Sequence, residues 1–94
     1  MEFTRGQWPI LSEFIYLDHA ATTPMSALAV EAMNPYLYEE YGNPSSLYSL
    51  GQNARRGLDQ ARNKCAAVLG SRASEIIFTS GGTESDNAAT MGVA

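Results

Sequence analysis

Apolar residues recur at helical spacing most clearly between residues 50 and 69. One face of this segment carries an apolar stripe, while charged and polar residues such as Arg62 lie off it; the stripe comprises Leu58, Ala61, Cys65, Val68 and Leu69. Ser49 and Gln52 have the spacing of a capping box, and Gly70 is a typical residue just beyond a helix end. The pattern therefore predicts a helix over 50–69 with a buried stripe and an inert Cys65 thiol within it.

A β-branched and aromatic run marks a second kind of segment, over 75–79. Its sequence, Glu-Ile-Ile-Phe-Thr, predicts a buried strand. The apolar run at 15–17 predicts another, very short strand. Because a buried strand needs neighbours on both sides and a parallel neighbour needs a crossover, we expect the front part of a larger α/β protein, or a chain that pairs with another.

The remaining helical signals lie between these two runs. Ser26 is a suitable N-cap for a helix that runs through Met33. Pro35 lacks a backbone N–H, so we expect the helix to end or kink near Asn34, with a second short helical piece over 36–41. The cluster 42–46 is rich in turn residues, and a plain connection is its default interpretation.

The pair Gly81–Gly82 stands between the predicted strand and a small-residue segment that we expect to be helical. A helix start offers unpaired N–H groups and the positive end of the helix dipole, and glycine lets a ligand approach the backbone closely. Thr83 adds a hydroxyl donor, so the arrangement fits a phosphate site. On the local pattern alone, a tight turn with an N-cap is the more common explanation. Neither a Walker lysine nor a G-x-G-x-x-G fingerprint is present.

Composition narrows the possible partners. The 94 residues are enough for one small domain, and a net charge of −4 with six Lys and Arg residues argues against nucleic acid or an anionic membrane surface. Apolar runs are too short to span a bilayer, and the N-terminus lacks a secretory signal. One cysteine suits a reducing compartment such as the cytoplasm, and with one histidine it makes an internal metal site unexpected.

Three stretches, taken together, resemble the N-terminal region of cysteine desulfurases, pyridoxal phosphate enzymes of the class V aminotransferase family. They are Tyr-Leu-Asp-His-Ala-Ala-Thr-Thr-Pro at 16–24, Tyr-Gly-Asn-Pro-Ser-Ser at 41–46 and Glu-Ile-Ile-Phe-Thr-Ser-Gly-Gly-Thr-Glu-Ser-Asp-Asn at 75–87. The resemblance covers residues 15–94, in the family's order and spacing. It implies an α/β protein: the N-terminal part of a fold type I pyridoxal phosphate-dependent transferase, with an incomplete large domain that is mostly helical in this fragment. Residues 1–14 are expected to be an added leader or a natural extension.

The resemblance also implies a function and a site. Cysteine desulfurases remove sulfur from L-cysteine, giving L-alanine and an enzyme persulfide that supplies a sulfur-acceptor protein in iron–sulfur cluster assembly or tRNA thiolation, usually as homodimers. Carried over to this chain, Gly82 and Thr83 contact the phosphate of pyridoxal 5′-phosphate and Gly81 shapes the turn. The active-site mouth is lined by His19, Ala20 and Thr22, with Asn43 close by. His19 receives no catalytic role, because the family varies at this position.

The chemistry itself has no match in these residues. The family's cofactor-binding lysine, the histidine that stacks on the cofactor ring and the persulfide-forming cysteine come later than residue 94, and neither Lys64 nor Cys65 matches them. We therefore expect no catalytic residue here and no desulfurase activity from the 94 residues alone. The alternatives are a non-catalytic interaction or dimerisation fragment, one half of a split enzyme, or another class V member such as a selenocysteine lyase.

Overall fold

The structure is a computed structural model that describes residues 15–93, so the expectation for residues 1–14 lies outside the described residues. Its elements are α1 (Ala27–Tyr38), α2 (Ser49–Leu69), a 3-10 turn (Ala73–Glu75) and α3 (Gly82–Val93). Contacts divide the chain between Ala54 and Arg55 into two compact units, each described by itself below. Within residues 15–93, no helix combines the length and the apolarity needed to cross a bilayer.

Helix α1 belongs to the first unit and begins as the sequence predicts. The Ser26 hydroxyl accepts a hydrogen bond from the Ala29 N–H at 3.2 Å, which confirms the N-cap. The predicted end of the helix near Asn34 is wrong, because one helix continues through Pro35 to Tyr38. The fixed φ of proline is compatible with a helix, and the Pro35 carbonyl still accepts from the Glu39 N–H at 2.9 Å.

The start of α2 differs from the predicted capping box. Ser49 is already the first helical residue, and the first helical bond runs from the Gln52 N–H to the Tyr48 carbonyl at 3.1 Å. The Gln52 side-chain amide donates to the Leu47 carbonyl at 2.8 Å. Gln52 therefore ties the helix start to the preceding loop by donating to a carbonyl, and does not accept from a cap N–H.

The glycines at this helix start are fixed by close packing. A Cβ on Gly51 would stand 2.5 Å from the Ser46 carbonyl oxygen and 2.6 Å from the Asn43 carbonyl oxygen. A Cβ on Gly42 would meet the backbone of Leu50 closer still. Both positions lie far inside normal contact distance, so the turn 42–46 and the first turn of α2 fit together only because both residues are glycine.

The covered face of α2 is not the predicted one. Of the described hydrophobic residues only Ala54 and Ala66 are buried, at 6% and 4% exposure. Leu58 and Arg62, which share their face at helical spacing, are half-buried. The other four residues of the predicted stripe are exposed, among them Cys65, so the expectation of a buried thiol is wrong for this chain. The periodicity identified an apolar face correctly, but within residues 15–93 only Leu58 on that face is partly covered.

The end of α2 follows the prediction. Gly70 has a positive φ of 66°, the left-handed conformation that glycine adopts without a Cβ penalty. The Ser71 N–H donates to the Ala66 carbonyl at 2.9 Å and the Gly70 N–H to the Ala67 carbonyl at 3.4 Å. This pair of bonds is the Schellman motif, so Gly70 ends the helix as a C′ residue.

The two predicted strands are absent from the described residues. Residues 15–17 have no regular structure, the 3-10 turn includes Glu75, and 76–79 have no regular structure either, although Ile76 itself is extended. A strand needs a partner for its backbone N–H and C=O groups, and residues 15–93 supply none beside 76–79. Ile77 is accordingly 82% exposed. The β-branched composition was recognised correctly, but the strand that it predicts is absent from residues 15–93.

Candidate functional site

The glycine turn lies in the second unit, between residues 76–79 and α3. The Ser85 N–H donates to the Gly81 carbonyl at 3.1 Å, which places Gly81 at the N-cap and Gly82 at the first helical position. The N–H groups of Gly82, Thr83 and Glu84 therefore have no carbonyl one turn earlier to bond within the helix. The predicted order of glycine turn followed by helix is confirmed, although the segment before it is not a strand.

Neither glycine of the turn is required by the chain's own geometry. Gly70 is the only described glycine with positive φ, so Gly81 and Gly82 have backbone conformations that other residues also adopt. A Cβ built on either residue meets no atom within 4 Å. Among the described residues, then, neither backbone strain nor packing calls for glycine here. The observable consequence of the pair is an uncovered backbone at the start of α3.

A carboxylate closes the turn from the helix side. Glu84 accepts hydrogen bonds from the Ser80 N–H, at 2.9 Å, and from the Ser80 hydroxyl. These two bonds, the hydroxyl first, hold the pKa of the Glu84 carboxyl below its ordinary value of 4.5. The ionised group sits in the first turn of α3, where the helix dipole favours negative charge.

A second pair of hydroxyls crosses the same turn. The Thr79 hydroxyl donates to the Gly81 carbonyl at 3.1 Å, and the Ser85 hydroxyl lies 2.5 Å from the Thr79 hydroxyl oxygen. One turn later, the Asn87 side-chain amide donates to the Thr83 carbonyl at 2.8 Å. Side chains from both flanks thus fix the path of the backbone through Ser80 and Gly81.

Thr83 keeps its hydroxyl available. Within residues 15–93 this group makes no hydrogen bond, and the residue is exposed. Thr83 N–H and Oγ, together with the Gly82 N–H, form a small set of donors at the positive end of a 12-residue helix. Such a set suits an anion with several acceptor oxygens, although the neighbouring Glu84 carboxylate adds one negative charge.

The predicted mouth residues His19, Ala20 and Thr22 lie in a loop of the first unit that is folded by local bonds. The Tyr16 hydroxyl donates to the Thr22 carbonyl at 2.7 Å and to the Asp18 carbonyl at 3.0 Å. His19 stacks edge-on against the Tyr16 ring, with 4.7 Å between centroids, and its Nδ1 lies 3.1 Å from the hydroxyl oxygen of Thr23. His19, Ala20 and Thr22 are exposed, and these contacts are those of an ordered surface loop.

Asn43, the fourth predicted lining residue, makes its hydrogen bonds within the turn 42–46. Its side-chain oxygen accepts from the Ser45 N–H at 2.9 Å, and its carbonyl accepts from the Ser46 N–H at 2.9 Å. This is an Asx turn, which explains the residue without a ligand. Asn43 is nevertheless exposed, with the side-chain amide nitrogen directed to no described partner.

Sequence reasoning missed two features of the site. A local signal existed for Glu84, because its N3 position after a glycine cap is typical of a capping group. The sequence placed Arg62 off the apolar stripe and assigned it no contact. Its Nε nevertheless donates to the Ile76 carbonyl at 3.3 Å, in the segment that leads into the turn. No signal local to residues 55–69 pairs Arg62 with a carbonyl 14 residues later.

The residues of the turn also match a known family. The aminotransferase class-V family model matches residues 15–94. The chain is 52% identical over 80 residues to cysteine desulfurase IscS of Dictyoglomus turgidum, covering 85% of this chain and 20% of that protein. It is 51% identical over 80 residues to cysteine desulfurase IscS of Methanosarcina thermophila, again covering 85% of this chain and 20% of that protein.

A third relative gives the same picture. The IscS-like cysteine desulfurase of Mycobacterium tuberculosis is 55% identical over 78 residues, which are 83% of this chain and 20% of that protein. The chain thus spans about a fifth of the length of these curated relatives. No solved structure matches the chain. The family match extends over every described residue, from the loop at 16–24 through the glycine turn, and the chain belongs to the class-V aminotransferase family, whose fold is that of fold type I pyridoxal phosphate enzymes.

Proposed function

We propose that the chain supplies the cofactor-phosphate turn of a cysteine desulfurase domain. The observation that carries the proposal is the uncovered start of α3. Gly81 and Gly82 meet no neighbour where a Cβ would stand, and the first-turn amides have no helical partner. The match to relatives named cysteine desulfurase supports this assignment over a plain capped turn.

Each residue of the turn has a distinct part in the proposed site. The N–H groups of Gly82 and Thr83 and the Thr83 hydroxyl donate to phosphate oxygens, while Gly81 leaves room for the phosphate to approach. Glu84 holds Ser80 in place by accepting from its N–H and hydroxyl. When bound, pyridoxal 5′-phosphate supplies the electron sink that the reaction of an amino acid substrate requires.

The reaction and the partners belong to the whole protein. We infer that it takes L-cysteine, releases L-alanine and passes sulfur as a persulfide to an acceptor protein for iron–sulfur clusters or tRNA, as a cytoplasmic homodimer. In that domain His19, Ala20, Thr22 and Asn43 line the mouth of the site. Lys64 and Cys65 are both exposed on α2 and are assigned no role in the chemistry.

A pair of ligands tests the phosphate site without any reactive aldehyde. Pyridoxine 5′-phosphate and pyridoxine differ only by the phosphate, and neither forms a Schiff base with Lys64. Titration calorimetry on the 94-residue chain is expected to detect saturable binding of the phosphate ester and none of the alcohol. Equal binding of both, or of neither, would contradict a phosphate site at this turn.

A chimeric enzyme tests the reaction class. The 80 matched residues of the Dictyoglomus turgidum desulfurase are replaced by their counterparts from this chain, and L-cysteine-dependent sulfide release is measured with a reductant. Retained activity is the expected result, and a chimera carrying Gly82→Ala is expected to require more pyridoxal 5′-phosphate for half-maximal activity. A folded chimera that binds cofactor but turns over a different amino acid would exclude desulfuration in favour of another class V activity.

Exposed apolar surface supports a second candidate, an association fragment. Val68 is 86% exposed, and Leu69 and Ile77 are also uncovered. A single chain seldom presents so much apolar surface unless a partner covers it. If association is the function, the purified chain co-purifies with a full-length desulfurase and changes its oligomeric state, without cofactor affinity of its own.

A further inference from the structure

Arg62 is a residue of α2 that contacts the segment 76–79, which precedes the glycine turn. It lies on the covered face of the helix, and its side chain is 27% exposed. Its Nε donates to the Ile76 carbonyl at 3.3 Å, and its guanidinium carbon lies 5.2 Å from the centroid of the Phe78 ring. Arg62 therefore contacts the segment at two points, by a hydrogen bond to the Ile76 carbonyl and by a cation–π contact with the Phe78 ring.

Within residues 15–93, the contacts of Arg62 are among the few that fix this segment. Residues 76–79 have no regular structure and no neighbouring strand among the described residues. The Ile76 N–H donates back to the Ala73 carbonyl at 3.1 Å, so with the Arg62 bond both backbone groups of Ile76 are satisfied. Beyond Phe78, the Thr79 hydroxyl donates to the Gly81 carbonyl. A continuous set of contacts thus leads from α2 to the start of α3.

The orientation of Arg62 is itself set by the helix. Asp59, one turn earlier, lies 3.4 Å from a terminal nitrogen of Arg62 and 3.4 Å from Nε of Arg55. Arg55 is more exposed and belongs to the same ion-pair cluster, but no described contact joins it to Ile76 or Phe78. The two arginines therefore form a matched pair, alike in charge, helix and acidic partner.

We propose that Arg62 is a positioning residue for phosphate binding: it fixes 76–79 and thereby sets the donors of Gly82 and Thr83. The inference rests on the proposed function of the turn. It assigns Arg62 no contact with phosphate, so its effect is transmitted through Ile76, Phe78 and Thr79. Its substitution then weakens phosphate binding even though its charge lies outside the donor set.

Two substitutions separate the hydrogen bond from the charge. Arg62→Gln places an amide nitrogen at the same distance along the side chain as Nε, so it can still donate to the Ile76 carbonyl but carries no charge. Arg62→Lys keeps the charge and places a methylene at that point. If position is what matters, Gln retains more phosphate affinity than Lys. If Arg62 acts by attracting the anion, the order reverses.

The experiment titrates inorganic phosphate into the 94-residue chain and follows the amide resonances of Gly82 and Thr83 by NMR. For Arg62→Lys we expect affinity about three- to ten-fold weaker, for Arg62→Gln a smaller loss, and for Arg55→Ala a change of less than about two-fold. Before phosphate is added, Arg62→Lys is also expected to speed amide exchange at 77–80, while the helical circular-dichroism signal is unchanged.

The outcomes distinguish the inference from the function on which it rests. If the unaltered chain binds phosphate at these amides and Arg62→Lys binds equally well, the inference is wrong and the phosphate site stands. If the unaltered chain shows no saturable shift at Gly82 and Thr83, the proposed site is wrong and the inference falls with it. Loss of helical signal in both Arg62 variants would make Arg62 a folding residue, which also overturns the positioning role.

Discussion

Two pairs of glycines in this chain, Gly42 with Gly51 and Gly81 with Gly82, differ in what they require. At 42–51, a Cβ on Gly51 would stand 2.5 Å from a backbone oxygen, and one on Gly42 would meet the backbone of Leu50. At 81–82, a Cβ on either glycine meets nothing within 4 Å. The first pair is needed so that two parts of the chain can touch. The second pair satisfies no such need in residues 15–93.

The difference separates structural from functional use of the same residue. Gly42 and Gly51 serve the fold of the first unit, and the sequence motif around them is explained by packing and by the Asx turn of Asn43. Gly81 and Gly82 leave the first-turn amides of α3 uncovered while Ser80, Glu84 and Thr79 lock the turn around them. A fixed but uncovered backbone is what an anion site needs.

The largest effect is expected from Gly51→Ala. Its methyl group would overlap two carbonyl oxygens, and overpacking of this kind costs about 1–3 kcal/mol. We expect amide-exchange protection of Ser46 and Gln52 to fall by about ten-fold or more, as measured by hydrogen–deuterium exchange with NMR detection. Gly92→Ala in α3 is the matched control, because its methyl group meets nothing within 4 Å; it should leave both amides unchanged. Unaltered amide-exchange protection in Gly51→Ala would contradict the claim that close packing requires glycine at this position.

The next effect is expected from Gly82→Ala, and it falls on binding. Alanine is the better helix former and has open space here, so helical content should stay the same or rise slightly. Phosphate affinity, measured by the shift of the Thr83 amide, should fall by about ten-fold because the methyl group obstructs the approach of the anion to the backbone. A lower helical content in Gly82→Ala together with unchanged phosphate affinity would contradict a functional role for this glycine pair.

A smaller effect is expected in the titration of Glu84. Hydrogen bonds from Ser80 lower the pKa of this carboxyl, so the ionised form stabilises the folded turn. That stabilisation is present above pH 4.5, the ordinary pKa, and is lost as the pH falls through the lowered value. Ser80→Ala should raise the pKa of Glu84, as followed by carboxyl carbon NMR.

Glu75 provides the internal control for this titration. Hydrogen bonds from the Arg72 N–H and then from the Arg72 side chain lower the pKa of its carboxyl as well. Arg72→Ala removes only the side-chain bond and should raise this pKa in part, whereas Ser80→Ala should leave it unchanged. A pKa of Glu84 that is unchanged in Ser80→Ala would mean that the hydrogen bond from the Ser80 hydroxyl to Glu84 does not form in solution.

The smallest effect is expected from Val68→Ala. Val68 is 86% exposed, and truncation of an exposed side chain changes stability by less than about 0.5 kcal/mol. Urea unfolding followed by circular dichroism at low and high protein concentration measures the change. A cost that grows with concentration would show that a second copy covers this face, which favours the association candidate.

The helices were predictable because their signals are local. Ser26 caps α1, Gly70 ends α2 and Gly81–Gly82 open α3, each through bonds that span a few residues. Pro35 was misjudged because its backbone conformation suits a helix even though its N–H is missing. The exposure of Cys65 was misjudged because periodicity identifies an apolar face and says nothing about what covers it.

The site was predictable only in part. The glycine turn and Thr83 follow from the order of residues, and the structure gives them the expected helix start. The contact of Arg62 with Ile76 and Phe78 joins residues 14 or more positions apart, which no local pattern encodes. The segment 76–79 has strand composition without a strand, because composition does not supply a partner and none of residues 15–93 pairs with it.

The most direct test of the central claim is a map of amide shifts on addition of inorganic phosphate to the unaltered chain. The account predicts saturable shifts confined to the neighbourhood of Gly81, Gly82 and Thr83, with Gly42 and Gly51 unmoved. Shifts that do not saturate, or that appear equally at Gly42 and Gly51, would contradict the assignment of the Gly81–Gly82 turn to phosphate.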